Sequence, residues 1–294
     1  MSRTRLGRYL FGYSMLAIPF AFFLVFRIVP IIRTLTLSVF QWDLISREKP
    51  FVGIENFRAL WQDASFKLAF SNTTVLAVVT VTCSVVLGLV IALPLARRLR
   101  FGGVYQLLLF LPFITPMVPS AVAWRWIYET RYGMLNYVLS LVGAGPVPWL
   151  SNPSATLWAV IIMSVWKTLG YNTLLFVVGL RAIPGEYGEA AQLDGASGWQ
   201  YFWFVTLPLL MPTVLLVVVI STINSYNAFT QVYVLAADVQ GSPGSLARVL
   251  IYDIFEKAFR FYRMGYASAE AAVFLLIVLC LTALQFRVLG ARTD

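Results

Sequence analysis

The 294-residue sequence contains no histidine, two cysteines and four lysines. Without histidine, a His-ligated metal centre and a histidine general base are both excluded. The cysteines, Cys83 and Cys280, lie far apart within apolar runs and form no C-x-x-C. That arrangement supports neither a disulfide nor a zinc site and predicts buried free thiols. Among the lysines only Lys167 precedes a Ser or Thr, and Trp166 stands where a phosphate-binding loop needs glycine. The chain therefore encodes no ATP hydrolysis of its own.

Charge is also scarce. Charged residues are 12% of the chain, against about 25% in a soluble domain. Residues 68–96, 101–124 and 195–237 carry none at all. Hydrophobic residues reach 60% and mean hydropathy is +0.79. Exposed to water, such runs would form aggregating apolar patches. A soluble enzyme and a disordered chain are excluded. The net charge of +9 flanks the apolar runs instead of forming one basic patch, which argues against nucleic-acid binding.

What is present is a series of membrane-length segments. A helix needs about 20 residues to cross the hydrocarbon core, and six segments qualify: 9–32, 69–96, 104–127, 155–180, 208–236 and 268–286. Runs such as Val214-Leu215-Leu216-Val217 lack the alternation of barrel strands. The sequence thus predicts an all-α integral membrane protein with a single transmembrane domain over residues 1–294. Arg3, Arg5 and Arg8 precede the first apolar run. That run is too long for a signal peptide and lacks a small-x-small cleavage site, so a retained helix is expected. With six spans both termini share one side. Arg97, Arg98, Arg100, Arg181, Arg287 and Arg292 join the N-terminal arginines there in short segments, which places that side in the cytoplasm.

Polar residues inside the spans face a cavity or another helix. Ser221, Asn224 and Ser225, with Ala228 one turn on, share a face of span five. Asn227 lies about a hundred degrees away on such a helix. Lys167 and Tyr171 are likewise one turn apart on span four, beside Thr168 and Asn172. Each invites two readings, a solute path or helix–helix bonding, and Lys167 a third, pairing with an anionic solute. Pro112, Pro116 and Pro119 predict a kink in span three, and Trp124, Trp126 and Tyr128 an interfacial belt. Glu270 is the one acid within a span, too little for an intramembrane enzyme. No inverted repeat or set of buried acids suggests a transporter driven by an ion gradient.

The loop at 181–207 is unlike a plain connector. Pro184 suits a first helical turn, Glu186 and Glu189 favour the positive end of the helix dipole, and Asp194-Gly195 reads as a stop. Trp199-Gln-Tyr-Phe-Trp-Phe-Val follows as an amphipathic stretch suited to an interfacial helix. Glu189-Ala190-Ala191, Gly195 and Leu207-Pro208 match the pattern E-A-A-x3-G-x9-I-x-L-P, with Val205 at the isoleucine position. This loop resembles that of the permease subunits of binding-protein-dependent ABC importers. Phe51-Val-Gly-Ile-Glu-Asn-Phe57, Val165-Trp-Lys167 and Tyr233-Val-Leu235 are similar to phrases of the sugar and polyol subfamily, which includes the maltose-type permeases.

The resemblance implies a type I importer permease fold in a bacterial or archaeal inner membrane. It implies a second permease subunit, usually a different chain, two ATPase subunits holding ATP and magnesium, and an extracytoplasmic solute-binding protein. This chain would hold no cofactor or metal and catalyse nothing. Glu189, Ala190, Ala191, Gly195, Leu207 and Pro208 would couple it to an ATPase subunit. Carried over without gaps, the solute site of maltose-type permeases falls on Tyr171, Ser221, Asn224 and Ser225, of which the tyrosine and Ser221 match in residue type.

Overall fold

The computed structural model describes residues 3–45, 48–97, 99–236 and 247–290. Arg98, Arg292 and the side chains of Arg3, Arg5 and Arg8, all used above to orient the chain, lie outside that description. Among the described residues, five helices are long and apolar enough to cross a membrane: Phe11–Leu37, Ala64–Ala96, Ser154–Ala182, Gly198–Tyr226 and Met264–Gly290. Gly102–Ile114 and Met117–Ile127 supply a sixth crossing as a pair bent by 97°.

Proline shapes three of these spans. It cannot donate a backbone hydrogen bond, and its ring clashes with the carbonyl four residues earlier. In the first and fifth spans the helix widens to a π turn just ahead of the proline, at Leu24–Ile28 before Pro30 and at Phe202–Thr206 before Pro208. The wider turn accommodates both defects and the helix continues. In the third span three prolines fall within eight residues, and at Thr115-Pro116 the helix breaks outright.

The fifth span departs from the sequence reading. It was expected at 208–236, with a separate interfacial helix before it. The helix instead runs from Gly198 through the aromatic stretch and ends at Tyr226. Ser197 and Gln200 start it with a reciprocal capping box, which satisfies two otherwise orphaned backbone donors. Phe229–Ala236 is a separate helix, and its Val232, Leu235 and Ala236 are buried in a protein core. Apolar content is the same in a membrane-crossing helix and in one buried within protein, so hydropathy cannot separate the two.

The chain divides into two compact units. The first comprises Met1–Asp63 and Ile254–Leu275. Its long N-terminal span is exposed along its length. A cap is built from the short helix Glu55–Gln62 and bridges pairing Phe40 with Phe51 and Asp43 with Arg263. Lys257 donates to Asp63 at 2.7 Å, Tyr266 donates to the same carboxylate oxygen at 2.7 Å, and Glu270 lies 3.8 Å from the ammonium. The intramembrane acid thus sits beside a buried cation.

The second unit comprises Ala64–Asp253 and Leu276–Asp294 and holds spans two to five. One core joins Ala92 and Leu95 of span two, Phe176 and Val177 of span four, and Leu210 and Val217 of span five. Another gathers Leu76, Tyr128, Val160, Met163 and Tyr252. Tyr128 is therefore a core residue and not part of an interfacial belt, and its hydroxyl donates to the Ala159 carbonyl at 2.8 Å. Gly170 lets span four meet span three backbone to backbone, since a Cβ there would collide with the Leu109 carbonyl. Both cysteines are free, but Cys83 is half-buried and Cys280 exposed, not buried as expected. An outward face of a membrane helix is apolar like a core, so hydrophobic surroundings in sequence did not imply burial.

Candidate functional site

The 181–207 loop forms a short helix, Glu186–Leu193, joined by a turn to the start of span five. Glu186 and Glu189 both occupy its first turn, where backbone N–H groups are unpaired and the dipole end is positive. The helix ends at Asp194, and Gly195 takes a φ of +72°. The Ala196 amide then closes back on the Ala191 carbonyl at 2.9 Å. A left-handed residue at this point is ordinarily glycine because a Cβ would strain it. Glu189 and Ala190 are exposed and Ala191 half-buried. Leu193 is 90% exposed, an apolar side chain held outward by a rigid turn. Leu207 and Pro208 lie on span five beyond the π turn. Behind the loop, Arg181 donates to the Leu95 and Ala96 carbonyls at 3.0 and 3.3 Å, closing the end of span two.

A second feature is a cavity of about 340 Å³ between spans two to five. Lys167, Thr168 and Ser164 enter it from span four, Asn224 and Ser225 from the end of span five, and Phe113 and Met117 from either side of the break in span three. Thr80 of span two and Asn227, Thr230 and Gln231 complete the lining.

Lys167 shows how the broken span is held. In a continuous helix the Pro112 and Thr115 carbonyls would accept from the amides of residues 116 and 119. Both of those residues are prolines and have no amide proton. The Lys167 ammonium donates to Pro112 O at 2.6 Å and to Thr115 O, and meets Thr115 Oγ1 at 3.1 Å and Ser120 Oγ at 3.5 Å. An ammonium has three protons to donate, and this ring of oxygens takes them.

Residues 84–292 match the family of binding-protein-dependent transport system inner membrane components. The chain belongs to this family. A permease of the same kind, the trehalose/maltose transport system permease protein MalF of Thermococcus litoralis, is 34% identical over 286 residues, covering 96% of this chain and 95% of that one. The sn-glycerol-3-phosphate transport system permease protein UgpA of Agrobacterium fabrum is 30% identical, covering 95% and 94%. Among solved structures, a chain of a bacterial alginate ABC transporter, in complex with an alginate pentasaccharide-bound periplasmic protein, superposes with a TM-score of 0.85 at 22% identity. That match covers 99% of this permease and 98% of the other chain. The fold is the type I permease fold of ABC importers.

The permease brings together only part of the sequence-read path. Lys167, Asn224 and Ser225 share the cavity. Tyr171 does not line it but stacks on Phe113, which does, at 4.5 Å between ring centroids. Ser221 is turned into the protein, where Asn172 bridges it and Ser84 at 3.0 and 3.1 Å. This is helix–helix bonding of the kind that holds membrane bundles together. Ala228 lies past the end of the helix, in the core. Ending the helix at Tyr226 redirects the chain, so that Asn227 lines the cavity and Ala228 does not share the serines' face. Thr80, Thr230 and Gln231 were not singled out in the sequence. Their one signal there was polarity within long uncharged runs.

Proposed function

We propose that this permease forms, as one transmembrane domain, half of the translocation path of an ATP-driven importer for a neutral, hydroxyl-rich solute of the carbohydrate class. A second permease subunit, expected to be a different chain, would form the other half. An extracytoplasmic binding protein would deliver the solute. Two separate ATPase subunits would hold ATP and magnesium and drive alternating access. The Glu189 loop and both termini would face the cytoplasm.

The observation that carries this reading is the exposed helix Glu186–Leu193. Its turn holds outward a leucine that the permease itself does not pack, which is how a docking element is built. Ala190 and Ala191 allow close approach and Glu189 can pair with a cation on the partner. A rigid helix seated in a cleft transmits rigid-body motion. Glu189→Arg or Gly195→Leu should leave the permease in the membrane but abolish co-purification of the ATPase subunit and solute uptake. Normal uptake in either variant would overturn the coupling assignment.

The solute class rests on the cavity. Its lining offers amides, hydroxyls, an aromatic ring and a thioether, while its one charge is turned onto backbone carbonyls. Hydroxyl-rich solutes are bound by such groups, whereas an anion would need the ammonium that span three already occupies. The relatives' names include both a neutral disaccharide and a phosphate ester, and the cavity supports the former. Uptake of neutral oligosaccharides, uronates and glycerol phosphates should be compared in the wild type and Lys167→Met. Equal loss for all solutes is expected, and selective loss of anions would favour an anionic substrate.

A further inference from the structure

We propose that a groove beside the Glu189 loop is a binding site for one anionic phospholipid, its phosphate on Arg97 and one acyl chain running toward the membrane centre. The groove holds about 770 Å³ and is a feature of the second unit alone. One wall is the end of span two, from Val86 to Ala96, and the other is the aromatic start of span five. Val86 and Val90 point outward and more than half exposed, so this wall is not filled by the permease itself.

Three properties of the groove select the ligand. Its lining is apolar except at one end, where Arg97 is the single charged residue among those that line it. Trp199, Tyr201 and Trp203 flank that end, and such amphipathic rings lie at the level of the lipid headgroups. From Val86 to Ala96 the helix rises about 15 Å at 1.5 Å per residue, the depth of one leaflet of a ~30 Å hydrocarbon core. A ligand complementary to all three has an anionic head and an apolar tail one leaflet long. A phosphate diester suits a guanidinium through paired N–H bonds. The sequence continues basic at Arg100, which favours an anionic over a zwitterionic headgroup.

The site also touches the loop. Pro184 and Gly185 at one end of the loop and Gly198 at the other line the same groove. A bound lipid would buttress both ends of the Glu189 helix against span two, so membrane composition would bear on the position of the loop.

The test uses the importer assembled with its partner subunits in nanodiscs. Phosphatidylglycerol carrying a photoactivatable group at the acyl terminus is cross-linked and the labelled peptides are mapped. Labelling is expected at the deep end of the groove, in 85–90 and 206–207, with unlabelled phosphatidylglycerol competing at least tenfold better than phosphatidylcholine. Arg97→Gln, a change at an exposed position, should reduce that preference to less than twofold. Leu89→Trp should fill the groove and remove the labelling. Equal competition by phosphatidylcholine would overturn the proposal, as would labelling indifferent to Arg97→Gln. Absence of labelling in the assembled importer would overturn it too, since another protein chain would then cover the groove.

Discussion

Lys167 donates to the carbonyl of Thr115, whose helical partner four residues on is Pro119 and has no proton to give. The same ammonium serves Pro112, whose partner would be Pro116. A span broken by prolines within a membrane leaves carbonyls without a helical donor, and something has to satisfy them. Here a lysine on the neighbouring span does so, and the Pro112 carbonyl accepts from Thr115 Oγ1 at 2.7 Å as well. The break held by the lysine carries Phe113 and Met117 into the cavity wall.

Removing that ammonium should therefore act through structure. Leaving a buried acceptor unpaired costs about 1–3 kcal/mol, so Lys167→Met is expected to lower the unfolding midpoint of the purified permease. Pro116→Ala with Pro119→Ala returns the missing amides and should recover part of the loss. Thermal denaturation of the single, double and triple variants checks this. No recovery in the triple variant would mean that the lysine matters for another reason.

Gly195 sets the direction of the chain after the Glu189 helix. A non-glycine residue in that left-handed conformation stores about 1–3 kcal/mol of strain. Gly195→Val should therefore loosen the loop, while Gly195→Asn, which tolerates the conformation better, should be milder. Limited proteolysis between residues 184 and 198 reports the difference. Equal resistance in both variants would show that the turn is not held by glycine.

Asn172 ties spans two, four and five through Ser84 and Ser221. Polar contacts between membrane helices contribute about 0.6 kcal/mol on average, with a maximum near 1.7. Asn172→Leu breaks two such bonds and should destabilise by roughly 1–2 kcal/mol on that scale, and Ser221→Ala by less. Neither should change which solutes compete for uptake. A shift in solute preference on Ser221→Ala would return that serine to the transport path.

Asn224 and Asn227 line the cavity from either side of the end of span five. Both are exposed to it, so a larger side chain can be accommodated without disturbing a core. Asn224→Phe or Asn227→Phe should leave membrane abundance and ATPase co-purification intact while reducing uptake at least tenfold. Uptake within twofold of the wild type would place the solute elsewhere.

Much of this protein was legible in order along the chain. Each apolar run is local, and its length against the hydrocarbon thickness is enough to mark a span. The Glu189 loop was legible for the same reason, because acids in the first turn and a glycine stop act within one turn of helix, although Pro184 lies ahead of the helix and not in its first turn. The three closely spaced prolines foretold a break in span three, since a missing amide is a property of the residue itself.

Long-range packing decided the rest. The uncharged run of span five continues through residues 227–236, and only the break at Asn227 and the burial of Phe229–Ala236 against the third and fourth spans show these to be a separate helix. Lys167 had three readings in the sequence, as did no other residue, and its partners lie more than forty-five positions away. Asn227 reached the cavity because the helix stopped at Tyr226, while Ser221 is held inward by its bond to Asn172. The scarcity of charge, by itself, determined that the chain lives in a membrane. Where its one ammonium within span four would point was decided by tertiary structure, because the carbonyls that claim it are exposed only once another span has broken beside it.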